Sequence, residues 1–151
     1  MTRFIRRAAL IATCIILGAC AKEPETSDVT VSITSPVNGD TISGSAVHIT
    51  LDATGIEIAP AADARPETAH HHLYLDVDFP LSENSIPMGA AGVVHLGQAQ
   101  TDYHWENVPS GAHRIIAVLA DPGHIPLRPW VTDTVDFVVV APPAADTATK
   151  K

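Results

Sequence analysis

Cysteine is nearly absent from this sequence, and the little there is lies at the amino-terminal end. The 151 residues contain two cysteines, Cys14 and Cys20, and both fall within the first twenty positions. Disulfides and zinc–thiolate sites need cysteines inside the folded part of a chain. The rest of the chain therefore has no disulfide, no catalytic thiol and no thiolate ligand for a metal ion.

Basic side chains are also scarce, because 9 Lys and Arg stand against 17 Asp and Glu, for a formal net charge of −8. Such a surface repels nucleic acid and anionic lipid headgroups and attracts cations, so we expect no nucleic-acid partner. Common catalytic motifs are missing too: there is no nucleophile elbow, no phosphate-binding glycine loop and no His-Glu-x-x-His helix. The sequence predicts a protein that is not an enzyme.

The amino-terminal segment has the features of an export signal. Three arginines precede an apolar run from Ala8 to Ala19, which is too short to span a bilayer as a mature helix. The run ends in Leu17-Gly18-Ala19-Cys20, which resembles the lipobox of bacterial lipoproteins. That resemblance implies cleavage before Cys20, lipidation of its sulfur and, because Ala21 rather than Asp follows, export to the outer membrane. An ordinary signal peptide that happens to precede Cys20 is the alternative.

These features predict four parts in the chain. We expect a signal peptide over residues 1–19, a lipid-anchored tether over 20–27, one folded domain over 28–141 and a flexible tail over 142–151. The predicted location is the cell envelope, on the periplasmic face of a membrane that the lipid at Cys20 contacts. Cleavage of the signal peptide would remove three of the nine basic residues, so the exported chain is expected to be more acidic still.

Short runs of alternating apolar and polar residues fill the predicted domain. About seven such runs occur between turn signals, and none has a helical apolar period, which is typical of an all-β antiparallel sandwich; a small barrel is the alternative. The segments Ser35–Gly44 and Ser110–His113 resemble parts of bacterial immunoglobulin-like modules. The expected core includes Leu73, Leu75, Ile115, Ala117, Leu119, Val135 and Phe137.

The stretch from Ala69 to Asp78 combines the clearest strand pattern with the densest group of histidines. Because side chains alternate along a strand, His70 and His72 share one face and His71 lies on the other with Leu73. We expect the first face to be polar and the second to belong to the core. Two imidazoles at positions i and i+2 stand about 7 Å apart and can lean toward one ion.

Imidazole and carboxylate are the metal ligands that remain, and imidazole favours copper or zinc. We predict a metal site that combines the paired histidines with two at strand ends or in loops: His70, His72, His95 and His124. By contrast, His71 and His113 have apolar neighbours and are interpreted as structural residues bonded to the backbone. The pairs Asp76 with Asp78 and His104 with Glu106 are interpreted as solvated strand residues.

Four motifs in this order resemble an uncharacterised family of histidine-rich exported bacterial domains of unknown function: His70-His71-His72-Leu73, Val94-His95-Leu96-Gly97, Ser110-Gly111-Ala112-His113 and Asp121-Pro122-Gly123-His124-Ile125-Pro126. The resemblance covers most of Ser35 to Val140 and implies a small exported β domain without an assigned activity. The chain departs from the family's compact Gly-Gln-Thr at Gly97–Thr101.

Two functions stay open: a metal-binding envelope domain, or a structural or interaction module with an envelope protein partner and architectural histidines.

The lipoprotein hypothesis predicts that Cys20→Ala blocks processing or releases the protein from the membrane, because the lipid has no other predicted attachment point. Fractionation of cells that express the parent and the variant tests this, with a globomycin-type inhibitor of lipoprotein processing as the parallel treatment. Unchanged fractionation under both conditions contradicts the lipid anchor.

Overall fold

The computed structural model describes residues 28–142, and the predicted signal peptide, Cys20, the tether and the tail beyond residue 142 lie outside this range. No helix within the described range is long and apolar enough to cross a membrane. The described residues form nine strands: β1 (Thr30–Ser35), β2 (Thr41–Ser43), β3 (Val47–Thr54), β4 (Glu57–Ile58), β5 (Thr68–Leu75), β6 (Val93–Leu96), β7 (Asp102–Trp105), β8 (Gly111–Ala120) and β9 (Thr132–Val140).

The strands form two sheets that pack face to face. The small sheet has the order β1-β3-β7, and the large sheet has the order β2-β9-β8-β5-β4, with β6 paired to β5. Strand pairs are antiparallel except β2 with β9 and β4 with β5. The prediction of an all-β immunoglobulin-like sandwich is therefore confirmed. The strands beyond the predicted seven are β2 and β4, which have three and two residues.

The main core lies between the two sheets and consists of the inward positions of alternating strands. The small sheet contributes β-branched and leucine side chains of β1 and β3, and the large sheet contributes its alternate residues. Leu75 is half-buried and packs against this core. The other predicted core residues are buried: Leu73, Ile115, Ala117, Leu119, Val135 and Phe137.

Strand β5 is covered on both of its faces. Every residue from Thr68 to Tyr74 is buried. Its odd-numbered side chains face the main core, while its even-numbered side chains lie beside a second apolar cluster that the segments after β5 and β8 contribute. The expectation that His70 and His72 lie on a polar face is therefore wrong. The cluster comprises Tyr74, Phe79, Ile86, Val118 and Ala120, with Val93, Ile116 and Trp130 against it.

Truncation of Leu73 tests the sandwich core. Leu73 has no exposed surface, so Leu73→Ala removes buried methyl groups and leaves a cavity, which should lower the free energy of unfolding by about 2–5 kcal/mol. The matched control is Val138→Ala on β9, whose side chain is 39% exposed and whose loss should change that free energy by about 0.5 kcal/mol or less. Urea unfolding followed by far-ultraviolet circular dichroism measures both; similar effects for the two variants would contradict the assigned core.

Candidate metal centre

The local periodicity of β5 places two imidazoles side by side. His70 and His72 project from the same face of the strand, and 1% and 0% of their surfaces are exposed. Nε2 of His70 lies 3.0 Å from Nε2 of His72. Strand alternation therefore produces the pairing that the sequence predicts, but in a buried setting.

The other two predicted ligands reach the same place from neighbouring segments. His95 stands directly opposite His72 in the antiparallel pairing of β5 with β6. His124 comes from the segment after β8, whose last residue, Ala120, is paired with His70. The structure thus brings together all four histidines predicted as metal ligands.

The segment that carries His124 is a tight turn held by its own hydrogen bonds. The amide of His124 donates to the carbonyl oxygen of Asp121 at 2.8 Å, and the amide of Ile125 donates to Oδ1 of Asp121 at 2.9 Å. His124 has a φ of +64°, a left-handed conformation that is uncommon for residues other than glycine. These bonds hold a strained backbone that directs the His124 ring over the sheet.

Nitrogen atoms of four imidazoles lie close enough together to bind one ion. Nε2 of His70 lies 3.1 Å from Nδ1 of His124, and one candidate ligand nitrogen from each of the four rings lies within 4.8 Å of all the others. A tetrahedral Zn(II) ion with Zn–N bonds of about 2.0–2.1 Å separates its ligand nitrogens by about 3.3–3.4 Å. The separations of 3.0 and 3.1 Å around His70 are already close to this value.

Burial favours the neutral form of the His70, His72 and His95 rings. Loss of solvent, followed by repulsion from His95 and His124, lowers the pKa of His70 to about 4, although Asp121 acts in the opposite direction. Burial and then repulsion from the same cluster lower the pKa of His72 to about 3. The pKa of His95 is also lowered, first by burial and then by His124. Neutral imidazoles are the form that coordinates metal ions.

Hydrogen bonding within the cluster is incomplete. Nε2 of His70 carries either one proton or one lone pair, and therefore makes one well-directed hydrogen bond, yet two ring nitrogens lie within bonding distance. In addition, His72 Nδ1 and His95 Nε2 are buried and have no hydrogen-bond partner among residues 28–142. A buried unsatisfied polar group costs about 1–3 kcal/mol. The unsatisfied ring nitrogens therefore lower the free energy of unfolding of the domain.

Gly97 makes room for the His95 ring. A Cβ atom at Gly97 would lie 2.1 Å from Cε1 and 2.3 Å from Nε2 of His95. Gly97 is also buried, and its carbonyl oxygen accepts a hydrogen bond from the amide of Ala61 at 3.1 Å, which fixes the backbone there. Sequence reasoning missed this positioning role, although Gly97 is the last residue of the motif Val94-His95-Leu96-Gly97.

The two histidines interpreted as structural are hydrogen-bonded away from the cluster. His71 faces the main core and donates from Nδ1 to the carbonyl oxygen of Gln100 at 3.1 Å. His113 contacts Oδ2 of Asp76 and the carbonyl oxygen of Pro109, each at 2.7 Å. Burial lowers the pKa of His113, but these two bonds outweigh it and the pKa is raised. Asp76 is solvated, as the sequence predicts, with its side chain 46% exposed, but it is also a hydrogen-bonding partner of His113.

A comparison with known protein families identifies the family of this chain. The family described as a domain of unknown function (DUF4399) matches residues 49–140. The chain belongs to the DUF4399 family. All four clustered histidines lie within the matched segment of this DUF4399 domain.

The DUF4399 domain is similar to several solved structures at low sequence identity. No curated protein matches the chain. An engineered protein is similar at 9% identity and a TM-score of 0.46, over 74% of this chain but 20% of the engineered chain. Fibronectin(III)-like modules of Clostridium thermocellum CbhA are 18% identical, with a TM-score of 0.46, over 75% and 99% of the two chains. The PKD domain of human KIAA0319 is 12% identical, with a TM-score of 0.43, over 80% and 88%.

The lowered pKa values predict how the metal-free DUF4399 domain responds to acid. Below about pH 6.5, unfolded histidines bind protons, whereas the folded pKa values of His70 and His72 are about 4 and 3. The unfolded chain therefore binds more protons as the pH falls from about 6.5 to 4, and the free energy of unfolding should decrease over this range.

Urea unfolding with a chelator present, at about pH 7.5 and about pH 5, measures this decrease. The variant His70→Gln, His72→Gln should lose less stability between the two pH values than the parent. His113 has the opposite dependence, because its pKa is raised, but it is present in both proteins and cancels in the comparison. Equal losses in parent and variant would show that the paired rings do not titrate as described.

Proposed function

We propose that this DUF4399 domain binds one Cu(II) or Zn(II) ion through His70, His72, His95 and His124. The observation that carries the proposal is the convergence of four ring nitrogens within 4.8 Å of one another. An ion at their centre takes one lone pair from each ring and so replaces the incompatible contacts around Nε2 of His70.

The donor set favours borderline transition metals. The cluster supplies imidazole nitrogen and no carboxylate, whereas Ca²⁺ and Mg²⁺ require oxygen ligands. Imidazole suits copper and zinc, and affinity in the divalent series is highest for Cu²⁺. Asp121 lies close enough to raise the pKa of His70, and the same carboxylate would stabilise the positive charge of an ion.

Four protein ligands support binding or buffering, not catalysis. Catalytic zinc sites keep a position open for water or substrate, whereas structural sites are closed by four ligands. The four histidines would fill a tetrahedral shell. We therefore assign the domain a non-enzymatic role, in which the ion is held and released.

The proposed place of this role is the cell envelope. The lipobox-like sequence before Cys20 supports a lipid anchor on the periplasmic face of a membrane, the outer membrane in a Gram-negative cell. The excess of acidic residues supports a surface that concentrates cations near the domain. A tethered domain of this kind would bind envelope copper or zinc.

One observation favours the alternative, a structural or interaction module with architectural histidines. Metal-ligating imidazoles usually donate their second N–H to an outer hydrogen-bond acceptor. Nδ1 of His72 has no such partner within residues 28–142. Under this alternative the rings serve only to pack the space beneath the loops, and an exposed sheet edge such as β7 would meet a partner protein.

Metal titration separates the two functions. The metal-free protein should bind one Cu(II) or Zn(II) ion tightly in a chelator-competition assay, and His70→Ala, His72→Ala should abolish this tight binding, because two of four ligands are lost. The matched control is His71→Gln, which changes the buried residue between them but on the opposite face of β5. Unchanged tight binding in the double variant supports architectural histidines.

Gly97 offers a test that leaves every proposed ligand in place. Gly97→Ala should displace the His95 ring, because the new Cβ overlaps two of its atoms, and should weaken tight metal binding by about 10–100-fold, as loss of a positioning contact does. In a His95→Ala background the same change should add little, because coupled residues are not additive. Equal effects in both backgrounds would show that Gly97 acts independently of His95.

A further inference from the structure

A second group of potential ligands lies on the small sheet. Strands β3 and β7 are antiparallel, and their register places His48 directly opposite His104. Asp102 precedes His104 by two residues on β7 and shares its face. Because Val47, Ile49 and Leu51 of β3 point into the core, these three polar side chains project from the outside of the sandwich.

The three side chains are already close together. The His48 and His104 rings are stacked, with centroids 4.1 Å apart and an angle of 2° between their planes. Nε2 of His48 lies 3.5 Å from Oδ2 of Asp102. One ligand atom from each of the three residues lies within 4.8 Å of the other two. The side chains of His48 and Asp102 are 49% and 58% exposed, so an ion has direct access.

We infer that His48, His104 and Asp102 form a second metal site, separate from the histidine cluster, that binds Cu(II) or Zn(II) at the protein surface. Two imidazoles and one carboxylate are suitable ligands for both ions. The two rings are parallel in the structure, so both must rotate about their side-chain bonds to point one nitrogen each at a shared ion, with ligand nitrogens about 3.3–3.4 Å apart. Solvent water would fill the remaining coordination positions.

The two sites should differ in affinity and in exchange rate. The surface group leaves all of its members exposed, so its ion keeps contact with water and with competing chelators. The histidine cluster has two fully buried ligands and two half-buried ones, which slows entry and release. We expect the surface site to bind on the order of 10–100-fold more weakly, since it lacks a surrounding shell that fixes its ligands.

Stacking without metal binding is the competing explanation of the same geometry. Cross-strand pairs of aromatic residues stabilise a sheet slightly with no ion involved. Under that explanation, replacement of the rings lowers stability slightly and leaves metal stoichiometry unchanged. Stoichiometry is therefore the measurement that discriminates between packing and ligation.

The test is isothermal titration calorimetry of the purified full chain, with Cu(II) alone and with Zn(II) alone. The parent should bind two ions in two affinity classes. His48→Gln, His104→Gln should remove the weaker class only, and Asp102→Asn should weaken that class while its stoichiometry is kept. Both changes affect exposed residues, and an unchanged circular dichroism spectrum shows that the sandwich remains folded.

A second readout locates the ion. In the His70→Ala, His72→Ala variant, the first fraction of an equivalent of Cu(II) should broaden the ring proton resonances of His48 and His104 selectively. Persistence of the weaker class in His48→Gln, His104→Gln overturns the inference, as does the absence of any binding beyond the tight ion in the parent. A weak class without a tight one would support the surface site and contradict the proposed histidine-cluster function.

Discussion

Burial of both faces of β5 is the constraint on which the rest of the site depends. A strand between two hydrogen-bonded neighbours, with its odd residues in the main core, ordinarily leaves its even residues to solvent. Here the segments after β5 and β8 cover those residues with a second apolar cluster. His70 and His72 therefore lose water on all sides, and other imidazoles become their nearest polar partners. The neutral, converging arrangement of the rings follows from this loss of solvent.

Much of this arrangement is predictable from the sequence, because it depends on local periodicity. A period of two in β5 fixes which histidines share a face, and short alternating runs without helical period indicate a sandwich. The positions of His95 and His124 near strand ends or in loops predict them as ligands, and the structure brings both to the paired rings. The structural roles of His71 and His113 were likewise predictable, because each has apolar neighbours.

Other features depend on contacts between distant segments, which periodicity does not encode. The predicted polar face of β5 is buried because Phe79, Ile86 and Trp130 pack over it from loops whose paths the sequence does not reveal. The pairing of His48 with His104 depends on the register of β3 with β7, and a shift of one residue would reverse the exposed face. Strand β2 escapes prediction because three residues are too few to show alternation.

Burial also determines how the cluster can bind an ion. Ligands on a flexible chain must be ordered and dehydrated when an ion arrives, and that cost reduces affinity. In the cluster, folding has already desolvated His70 and His72 and fixed their rings on a rigid strand. The cost therefore appears as reduced stability of the metal-free domain, with unsatisfied nitrogens and lowered pKa values. Under the proposed function, an ion that binds the folded form would restore that stability by mass action. Its affinity and the stability of the folded domain would then both depend on the burial of the same rings.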